Sequence, residues 1–79
     1  MNLNESTILI TGMTGTLGSR VARRFLEEAH EVRGLYRSKE QADQYAFKGV
    51  HAVIGELGNP ASLLAALQGV DLLIHCAAY

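Results

Sequence analysis

The sequence has one cysteine, Cys76, one proline, Pro60, and no tryptophan in 79 residues. A single cysteine excludes an internal disulfide and a cysteine-based metal cluster, and its place inside an apolar run marks it as a small buried hydrophobe. An excess of either charge is also lacking. Seven Lys and Arg stand against eight Asp and Glu, a net charge of −1, so there is no basic field for nucleic acid and no polybasic surface for a membrane. No apolar run approaches the ~20 residues of a membrane span. The start, Met1 to Ser6, has neither a charged leader nor an apolar core of a signal peptide, so the expected location is cytoplasmic. His30, His51 and His75 fall on different elements without ligand spacing, which argues against a metal site. His30 reads as a loop residue and His75 as a strand residue partly covered by packing.

What is present is a globular composition, 48% hydrophobic and 19% charged, with no repeat, linker or low-complexity stretch. The length allows one domain, and chains of this size bury only about 60% of their unfolded surface, so stability is expected to be marginal.

Along the chain, Ile8-Leu9-Ile10 is too short for a helix and bounded by glycine, predicting a buried strand over Thr7 to Thr11. From Thr16 to Glu28 the period becomes helical. Leu17, Val21 and Phe25 recur beside Gly18, Ala22 and Leu26 as one apolar stripe, with small residues that allow close approach to a sheet. Arg20, Arg23, Arg24, Glu27 and Glu28 form the solvated face, including the i,i+4 pairs Arg23–Glu27 and Arg24–Glu28. A second strand is expected over Glu31 to Tyr36, where the internal Gly34 marks close packing by something opposite it.

Ser38 then caps a short polar helix from Lys39 to Phe47, with Ala42, Tyr45 and Ala46 inward and Gly49 ending it. Val50 to Gly55 is the third strand. Asn59-Pro60 opens a third helix through Gln68, ended by Gly69, with Leu63, Leu64 and Leu67 as its core stripe. Val70 to Ala77 reads as a fourth strand, apolar nearly throughout and so buried on both faces. The resulting fold class is α/β, a partial Rossmann fold: βαβαβαβ with parallel strands, right-handed connections and strand order 3-2-1-4.

Between the first strand and first helix lies Gly12-Met13-Thr14-Gly15-Thr16-Leu17-Gly18, a G-x-x-G-x-x-G turn. A strand before it, a helical stripe after it and a second strand ending about 20 residues on are the context a dinucleotide-binding turn requires. In that reading Gly12 permits the tight turn, Gly15 lets backbone approach a pyrophosphate, and Gly18 permits close helix packing. The N–H groups around Thr16 and Leu17 donate to phosphate at the positive end of the helix dipole, and Thr14 and Thr16 add hydroxyls. At the end of the second strand an acidic residue would accept from the ribose hydroxyls of NAD. Tyr36 stands there instead, followed by Arg37, Ser38 and Lys39, which favours NADP over NAD through a guanidinium for the 2′-phosphate.

These motifs, together with His30 to Ser38, Glu56-Leu57, Gly69-Val70-Asp71 and His75-Cys76-Ala77-Ala78, resemble the amino-terminal half of extended or atypical short-chain dehydrogenases/reductases. The resemblance is nearest to the NAD-dependent epimerase/dehydratase and NAD(P)H-binding oxidoreductase families, and runs from Ser6 to Tyr79. It implies that Gly12 to Gly18 hold the pyrophosphate and Arg37 the 2′-phosphate, that Glu56 and Leu57 line the adenine pocket, and that Ala77-Ala78 let the cofactor ribose lie against backbone. Glu56 is one methylene longer than the family's usual Asp, Thr16 replaces a frequent aromatic, and Ala29 replaces a common glycine.

The family's chemistry uses a Tyr-x-x-x-Lys pair, whereas Tyr36 and Tyr45 precede Lys39 and Lys48 by three positions, not four. The resemblance therefore implies the cofactor half of an NADP-dependent reductase, epimerase or dehydratase, truncated and inactive alone. The alternatives are a non-enzymatic NAD(P)-sensing module acting through a partner, and a fragment without a role. With the fourth strand at an edge, the isolated chain is expected to self-associate or recruit a partner strand there.

Overall fold

The computed structural model describes residues 6–28 and 30–76. Its elements are β1 (Thr7–Thr11), α1 (Thr16–Glu27), β2 (Glu31–Tyr36), α2 (Lys39–Gln44), β3 (Val50–Ile54), α3 (Pro60–Ala66) and β4 (Leu72–His75). The four strands form one parallel sheet in the order β3-β2-β1-β4, as expected from the crossover lengths.

β1 lies inside this sheet, between β2 and β4, and is the strand buried along its whole length. Ile8, Leu9 and Ile10 are 0–1% exposed, and complete burial of such side chains contributes about 1.5–3 kcal/mol each. Ile8 and Ile10 point to one face, where Val32, Ala22, Ala42 and Tyr36 join them, with Val21, Phe25, Leu26 and Phe47 packed around. Leu9 points to the other, onto Leu35 and Ala66. Thus α1 and α2 share one face and α3 takes the opposite one. The start of β1 is tied on both sides: the Thr7 N–H donates to Asp71 Oδ2 at 2.9 Å, and the Thr7 hydroxyl donates to Glu31 Oε2 at 3.0 Å.

Several sequence expectations are corrected. α2 stops at Gln44 rather than Phe47, with Tyr45 as its C-cap. The buried Tyr36 hydroxyl donates to the Tyr45 carbonyl at 3.0 Å, turning the chain so that Phe47 reaches the core beneath Arg23, whose guanidinium lies 5.9 Å from the ring centroid. Tyr45 and Ala46 are exposed, not inward. Gly49, at φ 93°, consequently serves the turn into β3 in a left-handed conformation that disfavours other residues, and a β carbon there would crowd the Leu26 Cδ1 at 3.2 Å.

In α1 the buried row is Gly18 and Ala22 with Phe25 beside it, while Leu17 is 62% exposed. The helix touches the sheet most closely where it has no side chain, and Leu17 lies about 100° round from that row. The pairs Arg23–Glu27 and Arg24–Glu28 are not formed; the ion pair among the described residues is Arg33–Glu31 at 3.8 Å.

α3 ends at Ala66 and seats its Ser62–Ala66 row inward, so Leu64 lies on the far side at 64% exposure. β4 spans only Leu72–His75 and is not buried on both faces. Leu72 and Leu73 are 46% and 44% exposed, and among the described residues β4 pairs with β1 alone. Cys76 is buried against the α1 face, as its apolar setting suggested.

Candidate functional site

The carboxyl ends of the strands open onto a cleft of about 400 Å³, within the ~300–1,000 Å³ typical of ligand sites. Its floor is the turn after β1, where Thr11, Gly12, Met13 and Thr14 contribute; one wall is Leu35 to Arg37 with Gln41, and the other is Gly55 to Gly58. It lies across the point where the order of connection reverses, between β1 and β4, with His75 also on its lining.

The turn has a definite construction. Gly12 has φ 77°, a left-handed conformation disfavoured for residues with a β carbon, and its carbonyl accepts from the Gly15 N–H at 3.1 Å. Met13 is buried and drops its side chain into the notch over Gly34, where a β carbon would lie 2.9 Å from the Met13 Cγ. The close packing expected at Gly34 is therefore supplied by the glycine turn itself. Gly15 is the N-cap of α1, and no side chain caps the helix there. The first-turn N–H groups thus stand open at the positive end of the helix dipole.

The second wall is held by α3. Asn59 Oδ1 accepts from the N–H groups of Ala61 and Ser62 at 3.1 and 3.3 Å. The Ser62 hydroxyl accepts from the Glu56 N–H at 3.0 Å, and its single hydrogen faces the carbonyls of Glu56 and Asn59, both at 3.1 Å. The Glu56 backbone is thus held at the cleft edge, its carboxylate has no partner among the described residues, and the Leu57 side chain beside it is half-exposed.

At the end of β2, Tyr36 is 2% exposed and its hydroxyl is turned inward, donating to the Tyr45 carbonyl, so burial keeps it from a ribose. Burial raises its pKa above the usual tyrosine value. Arg37 is exposed, and its guanidinium has no hydrogen-bond or ion-pair partner among the described residues.

Of the residues singled out from sequence, Gly12, Thr14, Arg37, Glu56 and Leu57 line the cleft together. Gly15, Thr16, Leu17 and Gly18 are not on its lining; they form the cap and first turn of α1, which continue the chain from the floor. Ala77 and Ala78 lie outside the described residues. Gln41 and His75 were not anticipated. Gln41 reads in sequence as part of a polar helix face, and its place on the lining follows from the turn it makes with Arg37. His75 is exposed rather than partly covered, and its Nδ1 is hydrogen-bonded to the buried Thr11 hydroxyl, its register partner on β1.

The sequence profile of the NmrA-like family matches residues 4–78. The photosystem II assembly factor Ycf39 of Cyanophora paradoxa is 40% identical over 68 residues, covering 86% of this chain and 21% of the relative. The NAD(P)H azoreductase of Xenophilus azovorans is 41% identical over 64 residues, covering 81% of this chain and 22% of the relative. The solved structure of AtPrR2 with NADP+ and (+)pinoresinol superposes with a TM-score of 0.79 at 28% identity, covering 94% of this chain and 26% of that one. The chain thus spans about a fifth of the length of these curated relatives.

Proposed function

The chain belongs to the NmrA-like family, an NAD(P)-binding, oxidoreductase-like branch of the extended short-chain dehydrogenases/reductases, and from that premise we propose that its cleft binds NADP in preference to NAD. The observation that carries the preference is the end of β2: a buried tyrosine occupied with its own backbone, followed at once by an exposed, unpaired arginine. A carboxylate there would accept from both ribose hydroxyls, and a guanidinium instead matches a phosphate. An NAD(P)H-named relative and a neighbour solved with NADP+ support the same cofactor class.

The residues present fit such a ligand. The left-handed Gly12 keeps the turn low, and the uncapped first turn of α1, which follows the cleft floor directly in the chain, is the part to which we assign the pyrophosphate, through the Thr16 and Leu17 N–H groups. Thr14 adds a hydroxyl at the floor. Leu57 gives an apolar wall for adenine, with Glu56 beside it and Arg37 opposite. When bound, the nicotinamide supplies or accepts hydride. Without Tyr-x-x-x-Lys, this chain's own contribution is binding and orientation, and the 79 residues alone bind without turnover. The fold and its relatives favour this reading over a sensing module.

Titration of the chain with NADPH and NADH tests the assignment. NADPH is expected to bind more tightly, and Arg37→Ala to weaken NADPH about tenfold while leaving NADH within about twofold. Tighter NADH binding, or equal losses for both cofactors in the variant, would overturn it.

A further inference from the structure

Met13 is the residue of the glycine turn whose side chain is buried: it is 3% exposed, next to the exposed Thr14. It enters the core on the α1 side of the sheet, with Ile10, Val32 and Tyr36. What receives it is the notch left by Gly34, where a β carbon would lie 2.9 Å from the Met13 Cγ, 3.1 Å from the Val50 Cγ1 and 3.2 Å from the Tyr36 Cε2. The three side chains converge on the one position of β2 that has none. Gly34 is the register partner of Ile10 on β1, and Arg37 follows it by three residues.

The hydrogen bond from the Gly15 N–H to the Gly12 carbonyl closes the turn on itself, and the contact of Gly18 with that carbonyl ties it to α1. Neither ties it to β2. That connection is made by Met13, because the turn cannot shift away from β2 without drawing this side chain out of its notch, and interiors packed this closely transmit such displacements. We propose that Met13 is a positioning residue: seated on Gly34, it fixes the spacing between the phosphate turn and Arg37, so that one ligand engages both ends at once. The inference rests on the NADP reading above and adds to it a residue that acts through the turn it holds. A methionine that only filled core volume would contribute stability and leave the relative affinities of the folded protein for different ligands unchanged.

Nucleotides with one phosphate or two separate these roles. 2′-AMP offers a phosphate to Arg37, 5′-AMP offers one to the turn, and adenosine 2′,5′-bisphosphate offers both. The wild-type chain is expected to bind the bisphosphate about tenfold more tightly than either monophosphate. Met13→Ala empties the notch and frees the turn. It is expected to leave 2′-AMP within about twofold of wild type, while the advantage of the bisphosphate over 2′-AMP falls to about twofold or less. Gly34→Ala reaches the same result by the opposite route, since its β carbon displaces Met13, and Met13→Leu, which nearly conserves the volume, is expected to keep the wild-type advantage. Circular dichroism identifies the folded variants, and either disruptive variant suffices. If a folded Met13→Ala or Gly34→Ala keeps the advantage of the bisphosphate, or weakens 2′-AMP and the bisphosphate in equal proportion, Met13 does not set the spacing, and the proposal is overturned while the cofactor assignment stands. If wild-type chain binds the bisphosphate no more tightly than 5′-AMP, the 2′-phosphate is not recognised, and the cofactor assignment fails and takes the proposal with it.

Discussion

Gly18 lies directly against the carbonyl of Gly12: a β carbon at position 18 would sit 2.3 Å from the Gly12 oxygen and 2.9 Å from its carbon. The obstacle is backbone, which cannot rotate aside as a side-chain end would. Moreover, it belongs to a residue whose φ of 77° already depends on being glycine. Gly18→Ala must therefore push α1 off the turn, at a cost of about 1–3 kcal/mol, the range for overpacking. Gly58→Ala is the matched control, since a β carbon there meets nothing within 4 Å, and its stability is expected to be unchanged or slightly raised. Urea unfolding checks both. Equal midpoints for wild type and Gly18→Ala would mean that the helix is not seated as described.

Tyr36 links the site to alkaline stability. Its hydroxyl is buried and donates to the Tyr45 carbonyl at 3.0 Å, and desolvation raises its folded pKa above the unfolded value of 10.0. The folded state therefore holds this proton more tightly than the unfolded chain does. The corresponding stability is fully present below pH 10 and is lost as pH rises through the folded pKa. Tyr36→Phe removes that component together with the hydrogen bond, a loss of about 1 kcal/mol at neutral pH. Unfolding measured from pH 8 to 11 is expected to show the gap between the two proteins narrowing above about pH 10. A gap constant across that range would contradict a buried, protonated Tyr36.

How much of this was legible in the sequence follows from how local each signal is. The turn at Gly12, the caps at Ser38 and Asn59 and the order β3-β2-β1-β4 depend on short-range chemistry and connection lengths, and all were visible. Arg37 could be placed because it directly follows β2, the strand beside the turn. The far end of α2 could not, because what stops it is the Tyr36 hydroxyl reaching across to Tyr45. The α3 stripe was misread because hydrophobicity favoured Leu64, whereas Ser62 ties its row to the Glu56 loop and turns Ala66 inward. Similarly, the place of Gln41 on the cleft lining was not legible, because it depends on the Gln41 amide oxygen accepting from the Arg37 N–H across the turn. A leucine-rich β4 suggested burial on both faces, and its place at the edge was legible too, but an apolar run does not say whether anything packs over those faces.

That edge leads to the last prediction. Among the described residues β4 pairs with β1 on one side only, and its consecutive residues Leu72 and Leu73, which point to opposite faces, are both nearly half exposed. Edge strands are ordinarily protected by a lysine, a proline or a bulge, and Leu72 to His75 contains no lysine or proline. The chain is therefore expected to self-associate as concentration rises, through its open backbone groups and uncovered leucines. Leu73→Lys places a charge at this edge while removing a side chain that is already 44% exposed, so the change in folding stability should stay within about 0.5 kcal/mol. Sedimentation velocity over a concentration series should then show larger species for the wild type and a monomer for the variant. If wild-type chain sediments as a monomer throughout, or if the lysine leaves association unchanged, the edge is not the surface through which copies meet.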